Sequence, residues 1–94
     1  MSITRINEFL AAPERTRDLR DFLMTLLPYL EGCEGCEGVV LLSAEDDENK
    51  FVILERWTNR EAHAAALAAY PPEKMTAAQD LLGGPPRGEF FTTL

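Results

Sequence analysis

Two apolar segments decide most of what this chain can become: VVLLS at residues 39–43 and KFVILERW at Lys50–Trp57. Each is rich in β-branched and aromatic residues, and the polar AEDDEN between them is short, so the pair reads as an antiparallel hairpin. A strand in a sheet with one wet face alternates apolar and polar residues, because successive side chains point to opposite faces. These strands do not alternate. Val39 and Leu41 point one way, Val40 and Leu42 the other; Phe51 and Ile53 oppose Val52 and Leu54. Both faces of the hairpin are apolar, and leaving either in water would forgo roughly 1.5–3 kcal/mol per large side chain.

The rest of the chain offers cover for one face only. With 94 residues it makes a single domain over 1–94, with no internal boundary. A first strand is expected over Ile3–Leu10, with Ile3, Arg5, Asn7 and Phe9 on one face and Thr4, Ile6, Glu8 and Leu10 on the other. Pro13 is expected to open a helix with Glu14 in its first turn. Its apolar stripe is Leu19, Phe22, Leu23, Leu26, Leu27 and Leu30, and Pro28 should bend or end it. After the hairpin, Thr58 and Glu61 have the spacing of a capping box, opening a helix through EAHAAALAAY that stops at Pro71-Pro72. A short helix, PEKMTAAQDLL, and a last strand, GEFFTTL, complete the order. Strand, helix, strand, strand, helix, short helix, strand is an α+β, ferredoxin-like split βαβ pattern: a four-stranded antiparallel sheet with its helices on one face. A second copy, sheet facing sheet about 10 Å apart, is the simplest cover for the other face, so a homodimer is expected.

Charge narrows the partners. Sixteen acidic residues against nine basic give a net charge of −7, which disfavours nucleic acid, because phosphate binding needs a basic surface, and disfavours polyanionic substrates. No 18-residue apolar run is present, so no membrane-spanning helix is expected, and MSITRINEF lacks the apolar core of a signal peptide. A cytoplasmic protein is the expectation. Both cysteines lie in GCEGCEG, residues 32–38, as C-x-x-C. Structural zinc needs four ligands, and the rest of the chain adds only His63. A thioredoxin-like motif would follow a strand and open a helix; this one follows a helix and precedes a strand. It reads as a glycine-rich turn.

EGCEGVVLL, KFVILERWTNREAHAAAL and the ending PPRGEFFTTL together resemble the antibiotic biosynthesis monooxygenase (ABM) family, over nearly the whole chain. Gly35-Cys36 entering the second strand, Glu55-Arg-Trp57 closing the third and Glu61-Ala62 opening the next helix carry the likeness. The resemblance implies a dimeric α+β barrel and cofactor-independent oxygenation of a small aromatic molecule, a phenol or hydroquinone turned into a quinone, with no metal or organic cofactor. It also implies that Gly35-Cys36 is the family's Gly-Cys turn, with Cys33 belonging to an extra copy of that tetrapeptide. On the same fold, a non-catalytic ligand-binding or regulatory dimer and an isomerase or cyclase remain alternatives.

Within that resemblance, Asn7, Trp57 and His63 are the candidate catalytic residues. Asn7 would steady a developing oxyanion or be an edge-strand amide; Trp57 would wall the ring or pack between sheet and helix. His63 is the one ordinary base near neutral pH, but many relatives place their helix histidine nine residues after the tryptophan, at Ala66 here. His63 is displaced by about one turn and is expected either in the cleft or, preferentially, on the surface. The haem-degrading branch places a tryptophan near Ala66 and a histidine downstream, and neither is present. Phe9, Phe22, Arg56 and Tyr70 are the expected substrate-binding residues; Arg5 and Arg56, as strand arginines, could each bind an acidic substrate group, but salt bridges with neighbouring glutamates are the preferred expectation for both.

Overall fold

A computed structural model describes residues 2–94. Its elements are β1 (Ile3–Leu10), α1 (Thr16–Glu31), β2 (Cys36–Ser43), β3 (Lys50–Trp57), α2 (Arg60–Ala69), α3 (Pro72–Gln79) and β4 (Arg87–Thr92). The strands form one antiparallel sheet in the order β2-β3-β1-β4, the ferredoxin-like arrangement expected from the element order.

Register sorts every side chain. Val39, Glu55, Arg5 and Phe90 form one row across the sheet, and Leu41, Ile53, Asn7 and Gly88 the next, on the face under the helices. Val40, Leu54, Ile6 and Glu89 form a row on the opposite face. Under α1, the i, i+4 pair Leu19 and Leu23 closes on Phe51 and Ile53, all four buried, with Phe9, Phe22 and Leu26 packed around them. The opposite face has no helix over it. Val40, Leu42 and Phe91 keep 50%, 45% and 42% of their surface exposed in the single chain, which is the apolar face the hairpin pattern anticipates.

Several boundaries differ from the sequence expectation, each for a local reason. Pro13 does not open α1. Residues 12–15 form a turn, with the Arg15 N–H donating to the Ala12 carbonyl at 2.9 Å. Pro13 takes its second position and Glu14 its third, at φ 64°, the left-handed slot that glycine usually fills. α1 then continues through Pro28 to Glu31, so the proline does not end it. Pro28 lies on the exposed side beside exposed Met24, whose carbonyl would otherwise receive the missing N–H, so water can serve it. β2 begins three residues earlier than expected because a bulge between Cys36 and Gly38 absorbs Glu37 and lets pairing continue to Trp57. The N-cap of α2 is Asn59, not Thr58: its side chain accepts the Ala62 N–H at 2.9 Å, while the Thr58 N–H is drawn back to the Gly35 carbonyl at 2.8 Å.

The C-x-x-C segment is a turn. The Cys36 N–H donates to the Cys33 carbonyl at 3.2 Å, and both thiols are free, resting against the carbonyls of Tyr29 and Gly38. Gly35 sits at φ 87°, and a Cβ there would meet Ala62 Cβ at 2.5 Å, so α2 can dock against the turn only over glycine. Among the described residues no three His, Cys, Asp or Glu side chains gather as a metal site, and no helix is long and apolar enough to cross a membrane.

Candidate functional site

The helix layer seals the sheet at one end and leaves a hollow at the other. Between β1, β3 and β4 below and the three helices above lies a cavity of about 290 Å³. Its walls are mainly apolar: Phe9 and Ile53 from the sheet, Phe22, Leu26 and Tyr29 from α1, Ala66 and Leu67 from α2, with Met75 and Ala78 from α3. The space follows from small residues. Ala66 is buried where a large side chain would fill the gap, and Gly88 offers no side chain from β4. Leu67 and Met75 line the cavity yet stay 52% and 40% exposed, so they mark its mouth between α2 and α3.

Four polar side chains meet on the sheet side of this hollow. Glu55 is only 4% exposed. Its Oε1 accepts the Trp57 indole N–H at 2.8 Å and its Oε2 the Asn7 amide N–H at 2.9 Å. Asn7 in turn accepts from Arg5 Nε at 3.0 Å through its Oδ1. His63 is 8% exposed, packs edge-on to both Trp57 and Phe90, and holds Nε2 4.0 Å from Glu55 Oε1, beyond hydrogen-bond reach.

The environment pushes both titratable groups toward their neutral forms. Burial raises the Glu55 carboxyl above its ordinary range; the hydrogen bonds from Trp57 and Asn7 and the charge of Arg5 pull it partly back. Burial lowers the His63 imidazole below its ordinary value, and the positive charge of Arg5 lowers it further. Both effects favour the unprotonated imidazole, the form able to accept a proton. Asn7 has a second amide hydrogen beyond the one given to Glu55, free to meet a ligand oxygen. The arrangement can hold a flat apolar ring, exclude water, take a proton from a hydroxyl and stabilise the oxygen left behind.

Among the expected site residues, Asn7, His63, Phe9, Phe22 and Tyr70 are brought together around this cavity. His63 is buried there rather than on the surface, correcting the preferred expectation. Trp57 does not line the cavity: it is fully buried one layer behind, where its N–H orients Glu55. Arg56 is a correction as a substrate-binding residue, while the salt bridge preferred for it is found. It points to the opposite sheet face, exposed, with Nε 3.9 Å from Glu37, because it is one residue out of phase with Glu55 and Trp57. The expected salt bridge of Arg5 is absent: among the described residues no carboxylate lies within 4.0 Å of it. Glu55 was missing from the candidates, although the sequence carried its signal. It is a carboxylate in the row Phe51, Ile53, Glu55, Trp57, whose other members are all apolar.

A ferredoxin-like α+β domain with an apolar, polar-floored cavity under its helices defines the class. Within that class, the family described as antibiotic biosynthesis monooxygenase matches residues 2–80, and the chain belongs to it. Membership supports a monooxygenase-like role in general terms. Solved structures agree on the fold. Rv0793 from Mycobacterium tuberculosis superposes with a TM-score of 0.87 at 21% identity, covering 100% of this chain and 96% of that one. PA3566 from Pseudomonas aeruginosa gives 0.90 at 20% identity, covering 99% and 94%. SnoaB, a cofactor-independent oxygenase from Streptomyces nogalater, gives 0.81 at 22% identity, covering 98% and 92%. A comparison with curated proteins finds no match.

Proposed function

We propose that the chain is a cofactor-independent monooxygenase acting on a phenolic or hydroquinone-type aromatic. The observation that carries this reading is the polar floor of Asn7, Glu55 and His63 in a mainly apolar cavity. The ring lies between Phe9, Phe22 and Ile53, with a hydroxyl toward the floor. His63 takes the hydroxyl proton, and Asn7 donates to the oxyanion. The electron-rich anion passes one electron to dioxygen. The resulting pair of radicals joins in a C–O bond, His63 returns its proton to the peroxide, and the hydroperoxide loses hydroxide together with the hydrogen on the same carbon, as water, to leave the quinone. One oxygen atom of dioxygen ends in the product and the other in water, with all electrons supplied by the substrate. Glu55 and Trp57 hold the amide and the imidazole in place. The likeness to SnoaB supports this reaction class.

The active species proposed is a homodimer. Exposed Val40, Leu42 and Phe91 lie on one uncovered sheet face, and a second copy would bury them. Sedimentation at micromolar concentration is expected to give twice the 10.5 kDa chain mass; a lone, folded particle would refute the dimer.

Oxygen uptake over a panel of hydroquinones, compared with autoxidation and with anaerobic controls, tests the reaction. Uptake above the control is expected, and His63→Ala should lower it at least tenfold, on the order of a lost general base. Uptake no faster than autoxidation would instead make the domain a ligand-binding module.

A further inference from the structure

The cavity carries a feature that oxygenation of a neutral quinol does not use. In a chain of net charge −7, the charged groups lining it are Arg5, Arg87 and Glu55, with cations in the majority. Neither arginine has a carboxylate within 4.0 Å among the described residues. Glu55 is the cross-strand neighbour of Arg5, yet both its oxygens are turned to Trp57 and Asn7. Arg5 is also held in place. Its Nε donates to Asn7, and its guanidinium lies 4.6 Å from the centroid of the Phe90 ring, leaving the terminal nitrogens without a protein acceptor among the described residues. Their space exists because residue 88 is glycine: a Cβ there would run into Arg5 Nη2 and Asn7 Oδ1. Arg60 stacks on the same ring at 4.4 Å, again with no carboxylate partner among the described residues, so two cations converge on one aromatic side chain. Like charges placed together without an anion are a standing electrostatic cost that a bound anion would remove.

We infer that the site takes an aromatic acid, a phenol or hydroquinone bearing a carboxylate, with that carboxylate on the free edge of Arg5 and the ring in the apolar hollow. A planar guanidinium presents two parallel N–H groups to a carboxylate, the geometry that distinguishes an acid from its ester. An apolar cavity of about 150 Å³ accepts benzene, so the 290 Å³ here has room for a substituted ring. The inference rests on the oxygenase reading for the phenolic part of the ligand and on Arg5 for the acid.

Binding, not turnover, tests it. Titration calorimetry under nitrogen would compare 2,5-dihydroxybenzoate with its methyl ester and with 1,4-hydroquinone on the unaltered protein. The acid should bind at least about tenfold more tightly, the scale of a charge-assisted hydrogen bond, and the margin should shrink as salt is raised. In Arg5→Gln the acid and its ester should bind within about twofold of each other, and Gly88→Ala, which displaces the guanidinium, should narrow the margin in the same direction. An ester or hydroquinone that binds as well as the acid, or an acid that does not bind, overturns the inference whatever the variants do. Oxygen uptake separates the two readings. Turnover of neutral hydroquinone without an acid preference removes this inference alone; Arg5-dependent acid binding without any oxygen uptake removes the oxygenase and leaves it standing.

Discussion

Under α1, Leu19 and Leu23 close on Phe51 and Ile53 and leave nothing exposed; under α2, the same sheet face meets Ala66 and His63 and stays hollow. The two ends share strands and register, so the difference is made by side-chain size and by what the strands carry. Leucines four apart on α1 fill the space above an apolar row. Alanines on α2 let the helix approach without filling it, over a row that holds Arg5 and Glu55. One end supplies stability through close packing, and the other gives up packing for a cavity with a polar floor. A small domain has few large side chains to spend, and here they are concentrated away from the site.

The sharpest way to break this division is to hollow the filled end. Leu23→Ala should cost about 2–5 kcal/mol in urea unfolding, because Leu23 is fully buried and its neighbours are held from both layers. A loss under about 1 kcal/mol would mean that this end is not the packed core.

Removing the indole N–H comes next. Trp57→Phe keeps an aromatic ring in the core but leaves the buried Glu55 Oε1 without its donor. An unsatisfied buried acceptor costs roughly 1–3 kcal/mol, more where it is charged. The loss should be greater at pH 8 than at pH 5, because the ionised carboxylate needs the donor most. Equal losses at the two values would show that Trp57 acts by packing alone.

Filling the hollow end should be milder for stability and severe for binding. Ala66→Leu places a larger side chain into open cavity, so the unfolding free energy should change by less than about 1 kcal/mol. Affinity for an aromatic ligand should fall by more than tenfold, about 1.4 kcal/mol or more. Destabilisation as large as that of Leu23→Ala would show that the two ends are packed alike.

These contrasts also explain how much could be read from the residues. β1 and β3 were legible to their ends because alternation and β-branched content agree, and the doubly apolar hairpin anticipated an uncovered face. α1 was legible in its stripe but not its start, since Pro13 suits a turn as well as a helix, and the choice depended on Glu14 tolerating a left-handed backbone. The site was less legible because α2 is mostly alanine. Its one large apolar residue, Leu67, should by pattern face the core, yet it stands at the cavity mouth with His63 turned inward. An alanine-rich helix has little apolar contrast around its circumference, so the sheet beneath sets its rotation. Glu55 is not legible as a site residue for a related reason. A single carboxylate in a strand is usually on the wet side, and only the cross-strand neighbours Arg5 and Val39 show that this one is inside.

The smallest effect separates the ends by pH. The Leu19–Leu23 cluster contains no titratable group, whereas the hollow end holds Glu55 and His63, an acid and a base that burial shifts in opposite directions within the acidic to neutral range. Glu55 is raised above 4.5, so from that pH up to its folded value the unfolded chain has lost a proton that the folded chain keeps. Stability from this group is present at low pH and lost as pH rises through that window. His63 is lowered below 6.5, so from that pH down to its folded value the unfolded chain has gained a proton that the folded chain refuses. Stability from this group is present at high pH and lost as pH falls through that window. In the acidic range the two slopes oppose and partly cancel. Urea midpoints from pH 4 to 8 should therefore change shape when either group is removed. Relative to the unaltered protein, Glu55→Gln should gain stability as pH rises above 4.5, and His63→Gln should gain it as pH falls below 6.5. Differences that do not vary with pH would mean that neither group is desolvated, and the distinction between a dry polar floor and an ordinary wet cleft would be lost.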